Sequence, residues 1–210
     1  MGGKASQTAK KRYDRIASLY DLTEAVIERL RYSRWRELLW SKVEGSKVLE
    51  VGVGTGKNFP YYPPNVEITA IDFSPKMLRR AQIKAEKQGL TVNLQLMDVE
   101  NLLFKDDTFD TVVASFVFCS VPDPVRGLAQ VHRVCKPGGK VALLEHVRSA
   151  NAILGWLMDV ANPFVVRMIG ANINRDTVEN VRGAGLEIKE VTELWGGIFK
   201  LVEAGKRPSS

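Results

Sequence analysis

The residues with the clearest chemical potential form a glycine-rich run, Glu50–Gly56 (EVGVGTG), directly after a short apolar segment. Glycines at alternate positions, Gly52, Gly54 and Gly56, let the backbone turn tightly and approach a ligand closely. The N–H groups of a following helix would point at that ligand. A tight strand-to-helix turn without any ligand would use the same residues, so the run alone does not establish a binding site.

Two carboxylates follow the glycine run at the ends of the next two apolar segments, and together with the run they indicate a ligand-binding site. Asp72 lies 20 residues after Gly52, at the end of a second apolar segment, where its carboxylate can accept hydrogen bonds from both hydroxyls of a ribose. Asp98 ends a third such segment, where a carboxylate can accept from the amino group of adenine. The combination of glycine run and acids, in this order, predicts a nucleoside-containing cofactor.

The spacing of the glycines narrows the choice of cofactor. The dinucleotide motif is Gly-x-Gly-x-x-Gly, which fits a pyrophosphate, whereas this run is Gly-x-Gly-x-Gly. Glu50, which precedes it, would repel a pyrophosphate and attract an ammonium group. Three acids at three successive strand ends suit a ligand with a cationic amino-acid head, a ribose and an adenine. S-adenosylmethionine fits that description.

The elements that must position these residues alternate between short apolar strands and amphipathic helices, as in a parallel sheet with crossover helices. The predicted strands cover residues 47–51, 66–71, 92–97, 109–114 and 140–144. Predicted helices cover residues 75–88, with Pro75 at the start and Gly89 at the end, and residues 125–134, which a turn at Lys136–Gly139 closes.

The C-terminal part departs from this alternation. Residues 174–182 have a helical pattern, and strand patterns follow at 186–191 and 198–202, separated by a connection at Trp195–Gly197. So short a connection requires antiparallel pairing, because a parallel crossover needs a dozen or more residues. The predicted fold class is therefore α/β, with a doubly wound, mostly parallel, seven-stranded sheet ending in an antiparallel hairpin, and with N-terminal cover helices.

Composition and charge exclude several other classes of protein. The chain has 210 residues, of which 45% are hydrophobic and 26% charged, the balance of a globular protein. Its two cysteines, Cys119 and Cys135, cannot form a disulfide framework or a four-ligand zinc site, which favours a reducing, cytoplasmic setting and no metal. The apolar stretch 153–170 contains Asp159 and Arg167, which argues against a membrane span.

The positive charge is concentrated at one end of the chain. Residues 1–48 hold 11 Lys and Arg against 6 Asp and Glu, whereas the other 162 residues hold 19 against 18. A nearly neutral body argues against a nucleic-acid-binding surface spread over the protein.

The segment from Lys47 to Glu145 resembles a class I S-adenosylmethionine-dependent methyltransferase in its glycine run, its two strand-end acids and its Lys136–Gly139 turn. The resemblance implies that the cofactor is bound by Tyr20, Glu50, Gly52, Gly54, Gly56, Asn58, Asp72, Phe73, Met77, Asp98, Val99, Ser115 and Phe116. It also implies a methyltransferase domain at residues 46–210, preceded by a basic helical cover segment at residues 1–45.

Weaker similarities concern the acceptor. Residues 13–21 are similar to a segment of ubiquinone/menaquinone C-methyltransferases and bacterial phospholipid N-methyltransferases, in which a tyrosine, here Tyr20, covers the cofactor. Residues 115–122, 145–147 and 170–175 resemble alkyl thiol methyltransferases, whose N-terminal hydrophobic anchor this chain lacks. The resulting hypothesis is methyl transfer to a small or lipid-like hydrophobic acceptor, with a phospholipid amine or a quinone first and a thiol as the alternative. An NAD-dependent oxidoreductase or a non-catalytic nucleotide-binding module is the alternative from another class.

Candidate residues for the acceptor side follow the fifth predicted strand. His146 and Glu145 lie at the carboxyl edge of the sheet, where a base could take the proton that a thiol or ammonium acceptor must lose. His146 could equally order the loop. Asn172 and Arg175 could position a substrate, although Asn172 could also cap a helix.

The basic N-terminal segment has two interpretations. Residues 24–43 are predicted as a helix, with an apolar side at Ile27, Leu30, Trp35, Leu38 and Leu39, and with Arg29, Arg31, Arg34 and Arg36 largely elsewhere. This helix could cover the cofactor pocket, with a solvated charged face. It could also bring that face to an anionic membrane surface, where a lipidic acceptor is found.

Overall fold

A computed structural model of the chain describes residues 32–169 and 171–208. Its strands are β1 (Lys47–Val51), β2 (Glu67–Asp72), β3 (Asn93–Leu96), β4 (Phe109–Ser115), β5 (Cys135–His146), β6 (Glu187–Glu193) and β7 (Phe199–Gly205). They form a seven-stranded sheet in the order β3-β2-β1-β4-β5-β7-β6. The first five strands pair parallel and β7 pairs antiparallel with both of its neighbours, which confirms the predicted fold class.

Helices cover both faces of the sheet. They are α1 (Ser33–Trp40), α2 (Pro75–Gln88), α3 (Pro124–Val134), α4 (Ala152–Ile169) and α5 (Thr177–Gly183). Residues of α1 and α2 pack on one face, and residues of α3 and α5 pack on the other. Within the described ranges, no helix combines the length and the apolar composition that crossing a membrane requires.

Helix α2 has the predicted bounds because its end signals are local. The Ser74 hydroxyl accepts a hydrogen bond from the Met77 amide, and Pro75 occupies the first turn, where its missing N–H costs nothing. Gly89 ends the helix with a φ of +61°, a conformation that glycine adopts without strain. Met77, at the third residue of α2, is thereby held next to the end of β2.

Several predicted elements were wrong in their bounds, and two of the differences have a clear physical reason. Residues Lys136–Gly139 do not form a separate turn, because β5 already begins at Cys135. Its pairing with β4 is interrupted between the pairs Phe109–Cys135 and Thr111–Lys140, so the extra residues are accommodated as an irregularity inside the strand. Helix α5 begins at Thr177 rather than at residue 174, since the Asp176 side chain accepts from the Glu179 amide and caps it there.

The order of the strands determines where a ligand can bind. The chain moves outward from β1 to β2 and β3 on one side, and β4 then pairs with the other side of β1. Loops that leave the carboxyl ends of β1 and β4 consequently diverge and leave a crevice between them. The glycine run follows β1 and Ser115 ends β4, so both border this crevice.

Candidate functional site

A cavity that is open to solvent lies at the carboxyl edge of the sheet. The loops after β1, β2, β3 and β4 line it, together with Arg36 of α1. It brings together most of the predicted cofactor residues: Gly52, Gly54, Asn58, Asp72, Phe73, Met77, Asp98, Val99, Ser115 and Phe116. Glu50 and Gly56 are not among its lining residues, and Tyr20 lies outside the described residues.

The glycine run forms a backbone surface without side chains. Gly52 has a φ of +70°, and a Cβ there would lie 2.4 Å from a methyl carbon of Val117. Gly54 has a φ of +55°, yet a Cβ there would meet no atom within 4 Å, because the position faces the cavity. Gly56 differs in function: a Cβ would collide with the Phe59 ring, so this glycine serves packing behind the loop.

The substitution Gly54→Ala tests whether this surface faces the cofactor. We expect it to weaken S-adenosylhomocysteine binding by at least about tenfold, because the new methyl group occupies cavity space, at a stability cost of about 1 kcal/mol for the positive φ. Gly89→Ala is the matched control, since Gly89 has a φ of +61° and open space but does not line the cavity. Calorimetry and thermal unfolding measure the two effects. Equal affinities for the two variants would contradict the expectation.

Asp72 connects the glycine loop to the start of α2. One carboxylate oxygen accepts from the Gly54 amide at 2.8 Å, and the other accepts from the Ser74 amide at 2.8 Å. The side chain is buried but lines the cavity. A carboxylate has about four acceptor sites, so it can serve more donors than two backbone amides. Asp72 can therefore hold the loop and accept from ribose hydroxyls.

The adenine side of the cavity combines one acid with an apolar surface. Asp98 lies two residues beyond the end of β3 and accepts from the Glu100 amide at 3.0 Å. The neighbouring Met97 donates its amide to the Asp72 carbonyl at 3.0 Å, which joins the two loops. The apolar residues of this side are Ile71, Met77, Met97 and Val99. Such a surface suits the faces of a planar base, with a carboxylate at its edge.

Arg36 is the functional candidate that the sequence did not identify. One of its terminal nitrogens donates to Asn58 Oδ1 at 2.7 Å and to Ser115 Oγ at 2.8 Å, and its guanidinium lies 5.3 Å from the Phe116 ring centroid. The assignment of Arg36 to the charged outer face was wrong, because its side chain is buried and lines the cavity. The helical spacing could have indicated this position. Leu39 and Trp40, three and four residues after Arg36, are buried on the same side of the helix.

Glu50 lies behind the cavity instead of on its surface. Its carboxylate is fully buried, accepts from Asn58 Nδ2 at 2.5 Å and accepts the Tyr62 hydroxyl. Burial raises the pKa of Glu50 to about 7, although the hydrogen bonds from Tyr62 and Asn58 and the charge of Arg36 lower it. The expectation of a direct ammonium contact is therefore replaced by a positioning role, in which Glu50 fixes the Asn58 amide.

Glu145 supports the loop after β4. Its carboxylate is fully buried and accepts from the amides of Val117 at 2.8 Å and Phe118 at 3.0 Å, with Cys119 at 3.4 Å. Burial raises the pKa of Glu145 to about 7, and these amides lower it. Neither Glu145 nor His146 lines the cavity. The contacts of Glu145 anchor the loop on which Phe116 has a φ of +58°, and its catalytic role stays a prediction.

His146 contacts an aromatic cluster that adjoins the cavity. We define the cluster as Tyr32, Trp35, Phe116 and Phe199, in which the ring centroids of five pairs lie 5.0–6.0 Å apart. The His146 ring meets Phe199 edge-on at 4.9 Å, and its Nδ1 has no hydrogen-bond partner among the described residues. Burial lowers the pKa of His146, partly offset by a hydrogen bond with the Ile173 backbone. Of the cluster, Phe116 lines the cavity.

The two predicted substrate residues lie behind the cavity as well. Asn172 donates its side-chain amide to the Cys119 carbonyl at 3.1 Å, and Arg175 donates to the Val121 carbonyl at 2.9 Å. Both therefore hold the outer side of the loop after β4, and neither lines the cavity. Cys119 itself is buried, and burial raises its thiol pKa to about 12, so it behaves as a small apolar residue.

The cavity residues fit S-adenosylmethionine on chemical grounds. Asp72 and Asp98 supply acceptors, the glycine run supplies exposed backbone, and the apolar side suits a base. At the end with Arg36, Asn58 and Ser115, the polar groups suit an amino-acid head. Across residues 32–169 and 171–208, no three His, Cys, Asp or Glu side chains lie close enough together to hold a metal ion.

Comparison with known proteins identifies the family of the chain. The family described as a methyltransferase domain matches residues 49–143. A phosphatidylethanolamine N-methyltransferase of Cereibacter sphaeroides is 49% identical over 151 residues, which cover 64% of this chain and 72% of that protein. A demethylmenaquinone methyltransferase of Thermotoga maritima is 34% identical over 176 residues, covering 79% and 75%.

Solved structures share the fold. A SAM-dependent methyltransferase from Thermotoga maritima has a TM-score of 0.71 at 21% identity, covering 94% of this chain and 99% of that one. The [4+2]-cyclase SpnF has a TM-score of 0.70 at 20% identity, covering 84% and 81%, so the fold alone does not decide the activity. The two relatives in sequence, both named as methyltransferases, show the activity. The chain belongs to the S-adenosylmethionine-dependent methyltransferase family, and S-adenosylmethionine is its cofactor.

Proposed function

We propose that this methyltransferase transfers the methyl group to the amine nitrogen of a phosphatidylethanolamine-type phospholipid. The observation that carries the proposal is the 49% identity with a phosphatidylethanolamine N-methyltransferase over 151 residues. The demethylmenaquinone methyltransferases share 31–34% identity over 169–176 residues, which makes a quinone-type acceptor the second candidate. A thiol acceptor, the remaining alternative from the sequence, has no relative of that name among the proteins above.

The aromatic cluster supports an amine acceptor. Its rings adjoin the cavity at Phe116, the residue directly after β4, and Tyr32, Trp35 and Phe116 are only partly buried. The faces of aromatic rings attract alkylammonium groups through their quadrupoles, most strongly where water is excluded. We therefore assign the cluster as the acceptor side of the site, next to the cofactor side formed by the glycine run and Asp72.

The residues of the chain would act mainly by position. S-adenosylmethionine supplies a sulfonium-bound methyl group that is already activated for transfer. The glycine run and Asp72 hold the cofactor, Arg36 orients its amino-acid end, and Phe116 and Val117 exclude water from the reacting atoms. An ammonium acceptor must also lose a proton, because its nitrogen lone pair forms the new bond. His146 is the proposed proton acceptor.

The pH dependence of the rate tests His146. Since burial lowers its pKa below 6.5, the imidazole is neutral at pH 7 and can take a proton; it is protonated only as the pH falls through that lowered pKa. We expect kcat to fall in acid with a midpoint below 6.5, and His146→Gln to lower kcat by at least about tenfold and to abolish this acid limb. His132→Gln, at the other histidine, is the control. An unchanged profile in His146→Gln would exclude the role.

A methyl-transfer assay with labelled S-adenosylmethionine tests the acceptor. The arms are phosphatidylethanolamine, a demethylated menaquinol and an alkyl thiol, each dispersed in the same detergent micelles. We expect label in the lipid extract as the N-methylated phospholipid, formed at a rate at least about tenfold above the other arms. Label in the quinol or the thiol alone would replace the proposed acceptor, whereas the cofactor site would stand.

The division of the chain is part of the same proposal. We propose that residues 1–45 cover the pocket and that residues 46–210 form the catalytic domain. Arg36 and Trp35 of α1 support a covering role, since one lines the cavity and the other belongs to the aromatic cluster. The net positive charge of residues 1–48 supports contact with an anionic membrane, which for a cytoplasmic enzyme would be the inner face.

A further inference from the structure

Helix α4 carries a row of large apolar side chains that face outward. Their exposed fractions are 74% for Ile153, 61% for Trp156, 50% for Leu157, 60% for Val160 and 68% for Phe164. Their spacing of three, four, seven and eleven residues from Ile153 places them on one side of the helix. We call this row the α4 stripe. The outer face of a surface helix is normally polar, so the stripe requires an explanation.

The opposite side of α4 is fixed to the protein. Gly155 and Met158 are buried, and the Met158 sulfur accepts from the Ser149 amide at 3.4 Å. Asn162 accepts from the Ile173 amide at 2.9 Å. These contacts determine the rotation of the helix about its axis. The stripe therefore cannot turn inward without breaking them, and the helix lies along the surface.

The charges around the stripe favour an anionic partner. Asp159, the acidic residue of α4, is half-buried and paired with Arg148 at 2.8 Å, which balances its charge. Arg167 is exposed and continues the stripe, fourteen residues after Ile153. In the sequence, residues 1–31 hold seven Lys and Arg against four Asp and Glu, which makes the chain as a whole more basic. Aromatic and aliphatic side chains beside basic residues are the composition of interfacial helices.

The stripe is connected to the cavity through few residues. Asn162 donates to Asn172 at 3.3 Å, and Asn172 donates to the Cys119 carbonyl through both its backbone and its side-chain amide. Ser120, which follows Cys119, lines the cavity. A surface docked on the stripe would therefore contact the helix whose opposite side holds the loop that borders the cavity.

We propose that the α4 stripe docks on a phospholipid bilayer that contains anionic lipid, with Trp156 and Phe164 immersed among the headgroups and first acyl carbons. The docking itself is independent of the proposed function. Only the role of docking in bringing a lipid acceptor to the cavity rests on that function. It assigns the apolar part of membrane contact to α4, whereas the basic N-terminal segment contributes electrostatic attraction. The two parts respond differently to salt, because ionic attraction is screened and apolar burial is not.

Vesicle co-sedimentation of the full chain tests this assignment. The vesicles contain phosphatidylcholine and phosphatidylglycerol, so they lack the proposed acceptor and report docking separately from catalysis. We expect binding that persists in part at about 0.5 M salt and that falls at least about tenfold in W156E/F164E. Leu103→Glu is the matched control, because Leu103 is 78% exposed and lies outside α4. Near-ultraviolet circular dichroism and S-adenosylhomocysteine binding verify that the variants are folded.

Each outcome is decisive. Retained vesicle binding in W156E/F164E, or binding of the unmodified chain that vanishes in salt, would overturn the proposal. A dimer that W156E/F164E converts to a monomer would also overturn it, because a second copy of the chain would then occupy the stripe. Full protection of Trp156 from an aqueous quencher without lipid would overturn it too, because the chain's own residues would then cover the stripe. Lost vesicle binding together with unchanged methyl transfer to dispersed short-chain phosphatidylethanolamine would support it. Vesicle binding without any methylation of phosphatidylethanolamine would remove the proposed acceptor and leave the docking surface intact.

Discussion

Replacement of Asp72 by alanine is expected to weaken the binding of S-adenosylhomocysteine at least about a hundredfold. The carboxylate accepts the Gly54 and Ser74 amides and lines the cavity at the end of β2. Its proposed ligands are the two ribose hydroxyls, and hydrogen bonds to a charged acceptor contribute about 1.5–3 kcal/mol each. Calorimetric titration of the purified variant measures the change. Asp72→Asn, which keeps the shape but not the charge, is expected to be intermediate.

Asp110→Ala is the matched control for this substitution. Asp110 also accepts two backbone amides, from Ser46 at 3.0 Å and from Lys47 at 2.9 Å, but it does so at the amino edge of the sheet. The Lys136 side chain and these amides lower the pKa of Asp110 to about 2. Both variants should therefore lose stability, whereas only Asp72→Ala should lose cofactor affinity. If the two bound S-adenosylhomocysteine equally well, the ribose site would have been misplaced.

Replacement of Arg36 by alanine is expected to have the second-largest effect. The guanidinium bridges Asn58 and Ser115 in a buried position, and the substitution leaves both acceptors without this donor. The positive charge also lowers the pKa of Glu50, so its loss favours a protonated Glu50 and loosens the Asn58 amide that Glu50 accepts. We expect kcat/KM to fall about a hundredfold, mainly through weaker cofactor binding.

The neighbouring arginine provides the control. Arg34 lies on the same helix and is exposed, so Arg34→Ala should leave kcat/KM within about twofold of the unmodified enzyme, as is usual for surface substitutions. Arg36→Lys keeps the charge but presents no planar fork of donors, and it is expected to recover only part of the activity. Normal kinetics in Arg36→Ala would mean that the guanidinium merely fills space next to Phe116.

Local signals account for the elements that the sequence predicted well. Strand β1 and helix α2 have their predicted bounds, since Ser74, Pro75 and Gly89 define the ends of α2 within a few residues of chain. The start of β5 was missed because Cys135–Gly139 contains a proline and two glycines, which by themselves favour a turn. Only the pairing with β4 holds these residues in the strand.

The distinction between local signals and tertiary contacts also applies to the residues of the candidate site. The glycine run and Asp72 were identified from the chain alone because each occupies the end of a strand, and parallel strands bring such ends to one edge. Glu50 and Glu145 occupy equally suitable positions, yet neither side chain lines the cavity. Each is buried by partners that the sequence does not mark, namely Tyr62 and Asn58 for Glu50 and the amides after Phe116 for Glu145.

The sequence by itself therefore determined the fold class, the cofactor and the edge of the sheet at which the cavity lies, because these depend on the order and spacing of residues along short segments. The tertiary structure decided which charged side chains face the cavity. Arg36 meets Ser115 across 79 residues of chain, and Glu145 meets Val117 across 28. Such contacts depend on how α1 packs on the sheet and on how the loop after β4 bends back over β5, and neither is encoded in any short stretch of the chain.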